Sequence, residues 1–238
     1  NYIPESKYMG VYSRLYGRLP SSRALVSGAV VARRLKAEQI DAVFVSKGYD
    51  EQMLHNTGTE RDIPVGFLGS LKSTEYSQRK ALLEALSRRT GMLVTRTKSG
   101  TEYLQMLNRI KIFVSADIGM NEFMIKNFEA MACGCVLLAW SQGEEDQLLG
   151  FRDMHNTVFY RSEDEAVEKL ELLQNDPELT ARIASNGQAF AESQYSFARV
   201  GRALATEIQR EMRPWQPPSA FTRFWVKLRY GMQVPQPS

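Results

Sequence analysis

Lys126 and Glu129 stand three residues apart inside Asn121-Glu-Phe-Met-Ile-Lys-Asn-Phe-Glu-Ala-Met-Ala-Cys-Gly134, a run otherwise dominated by apolar and small residues. A carboxylate in a segment that must bury one face is costly to desolvate unless something binds it. Ionised, Glu129 can accept hydrogen bonds from two neighbouring hydroxyls, and charge-assisted bonds of this kind are about twice as strong as neutral ones. Residues i and i+3 share a helix face, so Lys126 brings a cation beside it. A helix N-terminus between Asn121 and Lys126 adds free N–H groups and a positive dipole end, which suits a phosphate. The same pair also reads as an ordinary surface ion pair on an amphipathic helix, with Met124, Phe128, Met131 and Cys135 as its core stripe.

The flanking elements must place these groups. Cys133-Gly134 ends the helix, and Cys135-Val-Leu-Leu-Ala139 reads as a buried strand. Upstream, Lys111-Ile-Phe-Val-Ser115 is a short apolar strand followed by the turn-prone Asp117-Ile-Gly-Met-Asn121. Strand, polar loop, helix, glycine, strand is half of a nucleotide-binding α/β unit, and its loop lies at the carboxyl end of a strand, where such folds bind ligands.

This segment resembles the donor-site signature of GT-B glycosyltransferases of the "glycosyl transferases group 1" class, E-G-F-G-x-P-x-x-E-A-M-A-C-G. Phe128-Glu-Ala-Met-Ala-Cys-Gly134 matches its tail; the first glutamate position holds Asn121, with Glu122 one residue out of register, and Lys126 takes the proline position. Lys126-Asn-Phe-Glu129 is closer still to the Arg-x-Phe-Glu of the spore-maturation-type branch. The resemblance implies that Glu129 binds the donor ribose, that Lys126 and Asn121 act at the diphosphate and sugar, and that Glu122 lies nearby. Phe67-Leu-Gly-Ser70 resembles the first strand and turn of the same domain, which adds Gly69, Ser70 and the loop residue Lys72 to the donor contacts. Arg96 and Lys98 follow a strand at the same sheet edge and could meet base or phosphate.

Along the chain, strands are expected at Asp41–Ser46, Pro64–Leu68, Met92–Thr95 and Thr157–Tyr160 besides the two above. Helices are expected over 22–39, 75–90, 100–110, 163–175, 177–191 and 196–212, the fourth opened by the capping box Ser162-Glu-Asp-Glu165. Arg79 and Lys80 read as solvated helix residues. Tyr2, Tyr8, Tyr12 and Tyr16 either line a partly buried helix or form a stacking surface. The alternation predicts a doubly wound, parallel α/β sheet. Residues 63–212 would be the Rossmann-like donor domain, 1–62 the remnant of an acceptor-side α/β domain, and 213–238 a tail. A complete enzyme of this class would carry more strands ahead of residue 1, so the sequence reads as a piece of one or as a form without its acceptor domain. In the tail, Ala220-Phe-Thr-Arg-Phe-Trp-Val-Lys-Leu-Arg-Tyr230 interleaves aromatic and basic residues. That suits either a helix crossing back onto the first domain or one lying at a membrane interface.

The 238 residues are 43% hydrophobic and 24% charged, enough for a sizeable core, and the net charge of +3 is too small to argue for nucleic acid. Two cysteines in C-x-C spacing read as core residues of a reducing compartment. His55 and His155 lack partners at metal-ligand spacing, and no Asp-x-Asp triad occurs. No 18-residue apolar span or secretory segment appears. The expectation is a cytoplasmic, metal-independent, retaining hexosyl-type transferase without cofactor. It would move a sugar from a nucleotide-sugar donor to a glycan or glycolipid hydroxyl, with peripheral contact at the inner face of the cell membrane through the tail. One rival is a catalytically silent nucleotide-binding or scaffold protein of the same fold. The other, a dinucleotide oxidoreductase, would need a G-x-G-x-x-G that the chain lacks.

Overall fold

The computed structural model describes residues 10–19, 21–71, 77–118, 122–214 and 219–233. They divide between two compact units, one within 46–204 and the other within 1–45 and 205–238. The division falls at 45/46 and 204/205 rather than at 62/63 and 212/213.

In the smaller unit, helix α1 spans Val11–Tyr16, strand β1 Ala24–Val26, helix α2 Ala29–Ala37 and strand β2 Ala42–Phe44. The single helix expected over 22–39 is therefore a strand followed by a shorter helix. Leu25, Val26 and Ala29 satisfy a helical period, but β1 pairs in parallel with β2, Ala24 opposite Ala42 and Val26 opposite Phe44. Gly28, extended at φ −105°, separates the two elements. Arg23 fixes the register by donating from Nε to Asp41 Oδ2 at 3.0 Å. Ser22 Oγ donates to the Leu19 carbonyl. Ala24, Leu35, Ile40 and Ala42 make the core, with Tyr16, Val26 and Val31 against it. Tyr12 and Tyr16 stack at 6.4 Å; Tyr2 and Tyr8 lie outside the described residues.

The larger unit runs β3 (Ile63–Leu68), α3 (Ser77–Thr90), β4 (Leu93–Thr95), α4 (Thr101–Arg109), β5 (Ile110–Ser115), α5 (Ile125–Ala132), β6 (Val136–Trp140), α6 (Glu144–Leu148), β7 (Val158–Tyr160), α7 (Glu163–Asn175) and α8 (Pro177–Gln194). Its five described strands pair in the order β4-β3-β5-β6-β7, all parallel. This is the expected doubly wound architecture. Ile112, Phe113 and Val114 on β5 and Val136, Leu137 and Leu138 on β6 are fully buried, as strands covered on both faces must be. The chain order reverses between β3 and β5, so the loops leaving their carboxyl ends diverge and open a crevice.

Helix ends follow local chemistry. At the end of α5, Gly134 donates to Met131 O and Cys135 to Ala130 O, and Gly134 takes φ +82°, the paired bonds of a Schellman turn. Ser162 accepts from Glu165 N, as its capping box requires, while Glu165 reaches back to Arg161 N. Asp176 caps α8 through Leu179 N. Helix α9 spans Phe197–Gln209 and α10 Ala220–Tyr230.

Candidate functional site

A cleft of about 1240 Å³ opens over the carboxyl ends of β3, β4 and β5, at the switch point of the sheet. Leu68, Gly69 and Ser70 form one wall and residues 96–100 another. Ser115 and Asp117 lie at the end of β5. Helix α5 with its N-cap Met124 adds residues 124–127 and Glu129, and α4 adds Tyr103. Gly69 is required by close approach: a Cβ there would lie 2.7 Å from the ring of buried Phe67. Met124, expected in the core stripe of α5, lines the cleft instead. Phe128 and Met131 carry that stripe. The Phe128 ring packs at 4.3 Å on Tyr195 and at 6.1 Å on Phe151, an anchor that fixes the opposite face of α5.

Glu129 Oε2 accepts a hydrogen bond of 2.6 Å from the Tyr103 hydroxyl. Burial, then the Glu129 charge, pushes the Tyr103 pKa far above the usual phenol range, so the hydroxyl stays a donor. Lys126 Nζ lies 4.8 Å from the Tyr103 ring centroid. Burial lowers the Lys126 pKa; Arg79 and Arg96 lower it further, and Glu129 opposes them. A half-buried ammonium among other cations is a ready position for an anion.

Part of the cleft lining is a hydrogen-bonded network that sequence reading missed. Asp117, 4% exposed, receives Arg79 Nη2 at 2.6 Å on Oδ1, and both Ser115 Oγ and Asn127 Nδ2 on Oδ2. Arg79 Nε also donates to Ala116 O. The expectation that Arg79 is a solvated helix residue is wrong: it is 8% exposed, because a carboxylate buried at the end of β5 needs a cation. The signal available was Asp117 itself, an acid two residues past a strand whose centre, Ile112-Phe-Val114, is apolar. Gln142, after β6, closes the network by donating to Asp117 O at 2.9 Å.

Arg61 braces the back of the site. Its Nη1 donates to Ile110 O at 2.6 Å and Leu107 O at 3.3 Å, and its Nη2 donates to Cys133 O. One guanidinium thus holds the carbonyl ends of α4 and α5, the helices that carry Tyr103 and Glu129.

Of the residues singled out from sequence, the cleft brings together Gly69, Ser70, Arg96, Lys98, Lys126 and Glu129. Glu122 does not itself line the cleft but pairs with a residue that does: Lys47 Nζ donates to its Oε2 at 2.6 Å and to Phe123 O at 3.0 Å. Lys72 and Asn121 lie outside the described residues. Tyr103 and Lys47 are cleft residues that no motif marks. Among the described residues no cluster of three His, Cys, Asp or Glu is placed to hold a metal ion. Both cysteines are buried and unpaired.

A family model described as glycosyl transferase-like matches residues 50–206. The chain belongs to that family. Among solved structures, this glycosyl transferase-like chain is similar to HepE of Anabaena in complex with UDP-glucose, with a TM-score of 0.68 and 14% identity over 87% of this chain and 70% of that one. It is also similar to sucrose-phosphate synthase from Thermosynechococcus elongatus (0.63, 11%, 87% of this chain and 64% of that one). A glycosyltransferase from Rickettsia africae gives 0.65 at 9% identity, over 84% of this chain and 68% of that one. At these identities the likeness is one of fold, and the chain spans less than two thirds of the length of the synthase. No curated protein sequence matches it.

Proposed function

We propose that this chain carries the donor-nucleotide site of a GT-B glycosyltransferase that moves a sugar from a nucleoside-diphosphate donor to a hydroxyl acceptor. The observation that carries this reading is Lys126, a half-buried ammonium that pairs with no carboxylate among the described residues, beside Arg96 in a cleft over the switch point. Such a position is stabilised by a diphosphate, whose negative charge grows as the sugar leaves. Glu129 offers Oε1, unpartnered among the described residues, to the ribose hydroxyls. By the family resemblance Asn121 and Lys72 complete the contacts, the transfer is retaining and of hexosyl type, and Lys126 and Arg96 supply the charge without a divalent metal. HepE, which shares the fold, is known with UDP and with UDP-glucose, so uridine donors head the panel to be tried.

The tail extends the proposal to the acceptor side. On α10, Phe221, Phe224 and Leu228 are 74%, 64% and 73% exposed and lie on one stripe. Lys227 and Arg229 flank that stripe, and Val226, opposite it, is fully buried. Arg18 stacks over the Trp225 ring at 3.1 Å. The helix thus packs by one face and offers an apolar, cation-flanked face suited to an anionic lipid surface. Among the described residues no helix is long and apolar enough to cross a membrane. The proposed setting is the inner face of the cell membrane, with a glycan or glycolipid as acceptor.

Calorimetric titration of UDP, GDP, ADP and UDP-glucose into the wild type and Glu129→Ala, with and without EDTA, tests the donor site. One nucleotide should bind saturably, be insensitive to EDTA, and weaken tenfold or more in the variant. Absence of binding by the wild type to any of them sinks the proposal. Binding without sugar transfer would favour the silent nucleotide-binding protein.

A further inference from the structure

Tyr103 touches both members of the Lys126–Glu129 pair with different parts of one side chain. Its hydroxyl holds Glu129 Oε2 at 2.6 Å, and its ring lies under Lys126 Nζ at 4.8 Å. Opposite charges three residues apart on a helix ordinarily meet. Here no ion pair joins them. We infer that Tyr103 is a positioning residue that keeps Glu129 and Lys126 from neutralising each other, reserving the carboxylate for the ribose and the ammonium for the diphosphate. The inference rests on the donor-site reading above.

The chemistry of the two contacts differs in a useful way. The hydroxyl occupies one carboxylate oxygen and orients the other, since an ionised carboxylate has about four acceptor positions. Because burial and Glu129 both oppose its ionisation, it remains a donor across the working pH range. The ring face attracts the ammonium but supplies no hydrogen bond, so the three N–H donors of Lys126 stay available to phosphate oxygens. A second carboxylate in place of the ring would hold the cation and compete with the ligand. Arg61, by tying the ends of α4 and α5 together, keeps the spacing constant.

Tyr103→Phe removes the hydroxyl and keeps the ring; Tyr103→Leu removes both. Titration with UDP, 2′-deoxy-UDP and UMP separates the ribose contact from the contact with the second phosphate. The wild type should prefer UDP over both analogues. Tyr103→Phe should lose the preference over 2′-deoxy-UDP by several-fold, approaching tenfold, yet keep the preference over UMP. Tyr103→Leu should lose both preferences. A residue that merely packs would weaken all three ligands alike and leave the ratios unchanged, and that result overturns the inference, as does tighter UDP binding by Tyr103→Phe. If Tyr103→Leu does not fold, as judged by circular dichroism, the ratios of Tyr103→Phe decide alone. If the wild type prefers guanine or adenine, the same ratios are taken with that base. Failure of the wild type to bind UDP, GDP or ADP overturns the donor-site reading and this inference with it, an outcome distinct from unchanged ratios.

Discussion

Arg79 on α3 and Asp117 after β5 meet at 2.6 Å in the wall of the cleft, both nearly closed to solvent. Removing one member of a buried ion pair strands the other, at about 3–5 kcal/mol. Arg79→Met or Asp117→Leu should each lower stability by about that much in urea unfolding. The double variant should lose less than the two losses summed, and simple additivity would show that the pair is not coupled.

Lys126 should trade stability for binding. Its pKa in the fold lies below the ordinary 10.5, chiefly through burial, so the folded state binds fewer protons than the unfolded chain between those two values. Stability therefore rises with pH across that window, and below it the buried cation works against the fold. Lys126→Met should melt higher than the wild type at pH 7, a difference that shrinks toward pH 10, and should lose the melting shift given by a nucleoside diphosphate. A variant that melts lower at pH 7 would contradict this.

Both thiols should be inert in the native protein. Burial pushes Cys133 and Cys135 up to about 12, leaving almost no thiolate at pH 8. Ellman's reagent should label neither until guanidinium unfolds the chain, and prompt native labelling would disprove the burial.

Gly134→Ala should destabilise by about 1–2 kcal/mol from the left-handed backbone alone. The new Cβ would also lie 2.5 Å from Asn56 Nδ2 and 2.6 Å from Arg61 Nη2. Denaturant midpoints measure the loss; a wild-type midpoint would mean the turn relaxes freely.

Vesicles test the exposed stripe of α10. Sedimentation with phosphatidylserine-containing vesicles should fall sharply for Phe224→Glu and in high salt, and little protein should sediment with pure phosphatidylcholine. Equal partition into both lipids, or a dimer lost in Phe224→Glu, would assign the stripe to another partner.

What could be read from sequence was whatever adjacent residues decide. The unit from Lys111 to Ala139 is local: an apolar strand, a loop, a helix closed by Gly134, an apolar strand. Ser162 and Glu165 likewise announce α7 by themselves. Strand β1 was illegible because Leu25 and Val26 fit a helical period, and only pairing with Val43 and Phe44 overrules it. Arg79 looked solvated because its partner lies 38 residues away. Tyr103 matched no motif, since its role depends on α4 lying beside α5.

The guanidinium of Arg61 has a practical consequence for anyone cutting the gene. A fragment starting at Ile63, where the first strand of the larger sheet begins, would keep every strand and helix of the site yet omit the rivet through Leu107, Ile110 and Cys133. A fragment that keeps the rivet must therefore begin ahead of Arg61, and the compact unit that contains it begins at residue 46.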